Sequence, residues 1–147
     1  MRRPLEYRRA AICGVLLFGV TVLQADPPRA VMDLLAHTAS ALSANNVPAF
    51  LNGVDPAMPE YSKLKADVTT LLEEADVGSS VVVQSDKGND RQRELELDWY
   101  LEIKSQEPEG PSERRRQIVH CRVEKQNGKW KIVALEPLDL FAPLAVH

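Results

Sequence analysis

The chain has 147 residues and a net charge of −3 at pH 7, and its length is that of one domain. The acidic balance argues against nucleic acid and against an anionic membrane surface as partners, because both select a basic face. A domain of this size buries roughly two-thirds of its unfolded surface and needs no disulfide bond to fold.

The amino terminus has the order of a secretory signal. Two pairs of arginines precede an uncharged apolar run over residues 10–23, and the small residue Ala25 follows this run. Basic, apolar and small-residue regions in this order predict a signal peptide over residues 1–25 and a single mature domain over residues 26–147. The predicted location is therefore outside the cytoplasm, either periplasmic or secreted.

The apolar run is short for a membrane span. Its 14 residues would rise about 21 Å as a helix, against a hydrocarbon core of roughly 30 Å, so no stable span is expected after cleavage. Leu23 stands where a small residue is preferred for cleavage after Ala25, so an uncleaved anchor remains the alternative. Cleavage removes four arginines and Glu6, which changes the net charge from −3 to −6. Only Cys121 then remains, and its place on the apolar face of a strand pattern predicts burial.

The first half of the mature chain has helical periodicity. Apolar residues at three- and four-residue spacing predict one helix over residues 28–46, a short helix over 47–53 and a third over about 59–75. Tyr61 lies on the apolar face of the third helix. His37 lies at the edge of the apolar stripe of the first helix, and we expect it to be half-buried.

The second half changes to a period of two. Apolar residues alternate with acidic ones along the second predicted strand, which indicates an antiparallel sheet with one covered face and one wet face. The fold class predicted is α+β, with three amino-terminal helices packed in the concave face of a strongly curved antiparallel sheet of four or more strands. The predicted strands cover residues 77–85, 91–104, 114–124 and 129–136, with turns at 87–90 and 126–128 and a loop at 106–112.

The order of elements and several local strings resemble the nuclear transport factor 2-like superfamily, which includes SnoaL-like and ketosteroid isomerase-like proteins. The resemblance covers about residues 29–142 and implies a cone with a cystatin-like fold. Catalytic, ligand-binding, dimerising and accessory domains share this scaffold, so the resemblance leaves the activity open. The resembling strings are ALSANN at 41–46, AFL at 49–51, LELDWYL at 95–101 and GKWKIV at 128–133.

Five side chains are candidates for lining a pocket in this cone. Trp99 and Trp130 from the sheet and Tyr61 from the third helix are expected near the wide end, where they either plug a core or contact a small hydrophobic ligand. Glu136 shares the strand parity of Trp130, which predicts that its carboxylate also faces the cone. His37 is the fifth candidate, as a histidine bonded to the backbone or as a base.

The sequence predicts no catalytic set, no metal site and no cofactor. Proton transfer in such a cone needs a base and an oxyanion donor inside it, and the acids of the second strand have the parity of the wet face. The histidines and Cys121 lack the paired spacing of zinc ligands, and there is neither a glycine-rich phosphate loop nor a nucleophile elbow.

The solvent-exposed face of the sheet is the remaining candidate for a functional surface. Its basic residues can pair with the acids of the second strand, either as solvated ion pairs or as a charged recognition face. We therefore predict a non-enzymatic ligand-binding or protein-interaction module of the cell envelope, and the open sheet face suggests a homodimer. The alternative is a small isomerase, dehydratase or hydrolase that acts on a hydrophobic substrate. The basic residues of this face are Arg114, Arg116, His120 and Arg122.

Overall fold

The structure is a computed structural model that describes residues 28–145, so the predicted signal peptide lies outside the described residues. Three helices precede four strands, as the periodicity predicts. Within the described range, no helix is long and apolar enough to cross a membrane. The elements are α1 (Arg29–Ser43), α2 (Val47–Asn52), α3 (Tyr61–Glu74), β1 (Ala75–Gly88), β2 (Gln92–Ser105), β3 (Ser112–Gln126), β4 (Lys129–Glu136) and a 3₁₀ turn (Asp139–Phe141).

The four strands form one antiparallel sheet in the order β1-β2-β3-β4, and the helices cover one of its faces. This arrangement confirms the predicted fold class. The apolar row of β2 lies on the covered face, here called the inner face, and each of its side chains is at most 1% exposed. That row consists of Leu95, Leu97, Trp99, Leu101 and Ile103.

Two β-bulges interrupt the ladders. One lies in β1 between Val83 and Ser85, and the other lies in the β3–β4 ladder, where Val123 pairs with Ile132 but Arg122 pairs with Ala134. Each bulge places an extra residue in one strand, which bends that strand and reverses the alternation of side chains beyond it. The second bulge determines on which face of the sheet the last side chains of β4 lie.

The two edges of the sheet differ. At the β4 edge, the Asp55 N–H donates to the Ile132 carbonyl at 2.9 Å, and the Ile132 N–H donates to the Gly53 carbonyl at 2.8 Å. The segment between α2 and α3 therefore covers this edge as a short parallel bridge at Val54. At the β1 edge, the Ser79 N–H donates to the Ser43 hydroxyl at 3.1 Å.

The chain folds back over the inner face after β4. Leu138, Leu140, Phe141 and Leu144 of this carboxy-terminal segment are all buried. The Phe141 ring makes edge contacts with Trp99 and Phe50, at centroid distances of 5.2 and 5.6 Å. The core is therefore closed by three layers, namely the sheet, the helices and the carboxy-terminal segment.

Candidate functional site

Trp99 lies at the centre of the inner face and is fully buried. Its indole N–H donates to the Ser79 hydroxyl on the neighbouring strand at 2.9 Å, which satisfies the single donor of the ring. The Phe141 ring stands nearly perpendicular to it, at 87°. In this structure the cone is thus filled at Trp99 by side chains of the protein itself.

The two tryptophans do not share a pocket, which corrects the expectation that both lie at the wide end. Trp99 pairs with Gln117, whereas Trp130 pairs with Lys125, eight residues further along β3. Eight residues of strand span about 26 Å at roughly 3.3 Å per residue. Trp130 lies beside the β3–β4 hairpin, 8% exposed, with the Lys125 ammonium 6.0 Å from its ring centroid. Tyr61 is half-buried in the first turn of α3.

Glu136 is exposed and lies on the outer face of the sheet, so the prediction that it faces the cone is wrong. The cause is the bulge in β4. Trp130 and Ile132 point inward, but beyond the bulge the inward residue is Leu135, and Glu136 pairs on the outer face with His120.

His37 is also exposed, which corrects the expectation of a half-buried ring. In α1 the buried stripe includes Leu35, Thr38 and Leu42. At 3.6 residues per turn, residue 37 lies about 130° from the middle of that stripe. Neither His37 nor Glu136 therefore contacts the interior of the cone.

The outer face carries the predicted ladder of charges. Arg116 donates to both carboxylate oxygens of Asp98, at 3.0 and 2.7 Å, and these hydrogen bonds hold the pKa of Asp98 below its usual value. Arg114 lies 3.3 Å from Glu102, and the His120 Nδ1 lies 3.7 Å from Glu96. The cross-strand pairing that the sequence predicts is confirmed for these three basic residues.

Two exposed aliphatic side chains flank Asp98 in the middle of this charged face. Val82, Asp98 and Ile118 stand side by side on β1, β2 and β3, and the two aliphatic side chains are 57% and 48% exposed. Tyr100 lies in the next row, between Ser80 and Arg116. We call the surface formed by Val82, Asp98, Tyr100, Arg116 and Ile118 the outer patch.

A groove of about 320 Å³ lies next to the outer patch, between Lys87, His120 and Glu136. Its walls carry both signs of charge, including Glu94, Glu96 and Arg122. Within residues 28–145, no group of three histidine, cysteine or acidic side chains is arranged to hold a metal ion. The groove is an open depression on the outer face of the sheet.

Cys121 is the single cysteine of the described range and is 3% exposed. Burial in apolar surroundings raises the pKa of its thiol to about 12. The prediction of a buried, unpaired cysteine is confirmed. A thiol in this state is neither a nucleophile nor a metal ligand near neutral pH.

Three residues that are absent from the candidates above lie on or against the inner face. Arg115 binds the carboxy-terminal segment, Phe141 fills the cone beside Trp99, and the Gln117 Oε1 is buried with no hydrogen-bond partner in the described part of the chain. Strand parity could have identified Arg115 and Gln117. Both lie on the same face of β3 as the buried Val119, whereas Arg114 and Arg116 lie on the other face. No sequence period marks Phe141, which follows the last strand.

The sequence matches no protein-family model and no curated protein. Solved structures do share the fold. A conserved protein from Planctomyces limnophilus superposes with a TM-score of 0.65 at 7% identity, over 72% of this chain and 90% of the other. A predicted scytalone dehydratase from Novosphingobium aromaticivorans gives 0.63 at 12% identity, over 73% and 79%. A nuclear transport factor 2-like protein of unknown function from Shewanella oneidensis gives 0.54 at 12% identity, over 73% and 94%.

These similarities confirm the nuclear transport factor 2-like fold that the strings and the order of elements suggest. The chain is a cone of three helices on a curved four-stranded antiparallel sheet. At identities of 7–12% the similarity defines the fold, and the function has to be argued from the site.

Proposed function

We propose that this protein is an exported interaction module of the cell envelope that forms a homodimer through the outer patch. The observation that carries the proposal is the contrast between the two faces of the sheet. The inner face at Trp99 is filled and fully buried, whereas Val82 and Ile118 on the outer face are about half exposed. Two large aliphatic side chains exposed in one row of a sheet, on either side of an aspartate, are consistent with a surface that a partner covers.

The outer patch has the composition of an interface. Val82, Ile118 and Tyr100 lie around the Asp98–Arg116 ion pair, and further charged residues lie beyond them on β2 and β3. Interfaces commonly combine an apolar centre, rich in aromatic residues, with a polar rim. The Asp98–Arg116 pair crosses this centre, and a partner would cover a carboxylate whose two oxygens already accept hydrogen bonds.

The distribution of charge favours a second copy of the same chain. On the outer face, β2 presents Glu94, Glu96 and Glu102, while β3 presents Arg114, His120 and Arg122. In a two-fold arrangement one patch faces itself, and β2 of one copy can lie over β3 of the other. Acids then meet bases across the interface, which is the complementarity that selects a partner.

The interaction is tested by the oligomeric state of three variants. Sedimentation velocity of the purified protein is expected to show a dimer, and Val82→Glu or Ile118→Glu is expected to give a monomer, because a charge would be buried at the centre of the interface. Met32→Glu is the matched control, since Met32 is 42% exposed but lies on α1. A monomeric wild type, or a dimer that survives both sheet substitutions, would contradict the proposal.

Export is tested separately by the mass of the mature chain. Intact mass spectrometry of protein from the exported fraction is expected to give a chain that begins at Asp26. A full-length chain in the membrane fraction would instead support the uncleaved anchor. The enzymatic alternative requires an acid–base pair inside the cone, and the exposed positions of His37 and Glu136 give it no support.

A further inference from the structure

The carboxy-terminal segment, Leu138–Leu144, covers Trp99 on the inner face of the sheet. Its Phe141 ring contacts both Trp99 and Phe50. This segment belongs to neither the helices nor the sheet. Besides its apolar contacts, the segment accepts side-chain hydrogen bonds from a residue of β3.

That residue is Arg115. Its guanidinium donates to the main-chain carbonyls of Leu140 at 2.9 Å, Ala142 at 2.6 Å and Pro143 at 3.2 Å. Its Nε also donates to the Glu113 carboxylate at 2.9 Å, and its side chain is only 15% exposed. A mostly covered guanidinium thus donates its hydrogen bonds to the carbonyl oxygens of a segment that has little regular structure.

We propose that Leu138–Leu144 is a displaceable plug, and that Arg115 and Trp99 form a site beneath it for a small aryl carboxylate. The plug itself defines this chemistry, because it presents an aromatic ring to Trp99 and, from the adjoining residues, oxygen atoms to Arg115. An aryl carboxylate of phenylalanine-like size presents the same two groups. A carboxylate binds a guanidinium through charge-assisted, bidentate hydrogen bonds, which are stronger than those made by neutral carbonyls.

A second polar group supports a site at this place. Gln117 follows Arg115 on the inner face of β3 and pairs with Trp99 across the ladder. Its Oε1 is buried without a hydrogen-bond partner in the described part of the chain. Buried polar atoms are nearly always bonded, so this amide oxygen is free to accept a hydrogen bond from a polar group placed beside Trp99. The amide of Gln117 can bond to a polar substituent on the ligand.

Amide hydrogen exchange of the wild-type protein tests displacement directly, with 3-phenylpropionate as the probe. The Phe141 and Ala142 amides donate within the plug, to Leu138 at 3.0 Å and to Asp139 at 3.1 Å. Saturating probe is expected to accelerate their exchange about tenfold or more while the central strands become more protected. If exchange of the plug amides is unchanged or slower, the segment is a fixed part of the core and the proposal is wrong.

Variants then test the two halves of the site. Phe141→Ala removes the competing ring and leaves an apolar cavity of the kind that accepts an aromatic guest, so its affinity for 3-phenylpropionate should exceed that of the wild type about tenfold. If that variant does not fold, Phe141→Leu takes its place. Equal affinity of variant and wild type would overturn the proposal.

The role of Arg115 is measured by a ratio of affinities in the Phe141 variant. The protein should prefer 3-phenylpropionate to the neutral 3-phenyl-1-propanol, and Arg115→Gln should abolish this preference whereas Arg115→Lys keeps part of it. Arg91→Gln is the control, because Arg91 is an exposed arginine in the turn between β1 and β2. Loss of the preference in Arg91→Gln, or its survival in Arg115→Gln, would contradict the assignment. These measurements do not depend on the dimer, which involves the opposite face of the sheet.

Discussion

Ser79 on β1 accepts the indole hydrogen bond of Trp99 on β2, and this pair fixes the largest side chain of the core. Ser79→Ala leaves the indole N–H buried and unbonded, so we expect the free energy of unfolding to fall by about 1–3 kcal/mol. Ser80→Ala, one residue away on the outer face, is the control and should change it by less than about 0.5 kcal/mol. Urea denaturation monitored by circular dichroism measures both. Equal effects would show that the hydrogen bond does not stabilise the core.

Cys121 should be unreactive in the folded protein. In a chain carrying Cys13→Ser, a thiol reagent at pH 8 is expected to react only after denaturant is added, since burial holds the pKa of Cys121 at about 12. Rapid reaction of the native protein would contradict this.

The raised pKa of Cys121 also determines how the stability of the folded protein changes with pH. The unfolded thiol loses its proton near pH 8.5, and the folded one near 12. The contribution of the protonated thiol to the free energy of unfolding is therefore fully present below about pH 8.5 and is lost as the pH rises towards 12. Cys121→Ala should reduce this alkaline decline, which urea denaturation at pH 8 and pH 10 would show.

Asp98 makes the stability depend on pH in the opposite direction, at acidic pH. Its pKa is lowered by the hydrogen bonds from Arg116, so the stability that the pair contributes is complete above the unfolded pKa, about 3.9, and is lost as the pH falls through the folded value. The difference in unfolding free energy between wild type and Asp98→Asn should therefore shrink between pH 6 and pH 2.5. Glu102→Gln is the comparison, because its partner Arg114 is 74% exposed. An acid response no larger than that of Glu102→Gln would refute the prediction.

Substitution of Glu136 and His37 tests the corrected geometry. Both side chains are exposed, so Glu136→Gln and His37→Ala should each change the free energy of unfolding by less than about 0.5 kcal/mol. Urea denaturation measures both changes. A loss of more than about 2 kcal/mol in either variant would indicate a buried side chain and would contradict the exposed position.

Sequence patterns predict most of the fold because its elements are regular. The alternation in β2 and the Asn127–Gly128 hairpin, with φ values of 51° and 81°, appear where local residues require them. The bulge at Val133 could not be predicted in this way, since Ile132, Val133 and Ala134 carry no turn signal. The position of Glu136 depends on that bulge. Phe141 lies outside any periodic element, so its contact with Trp99 depends on tertiary structure alone.

The bridge between Val54 and Ile132 has a consequence for synthesis. Lys131 also donates to the Asn52 carbonyl, a contact that joins residues 79 positions apart. Contacts of such long sequence separation form late, because the intervening chain must first be brought together. The segment after α2 therefore has no strand to pair with until β4 has left the ribosome, and this edge of the sheet is covered only then.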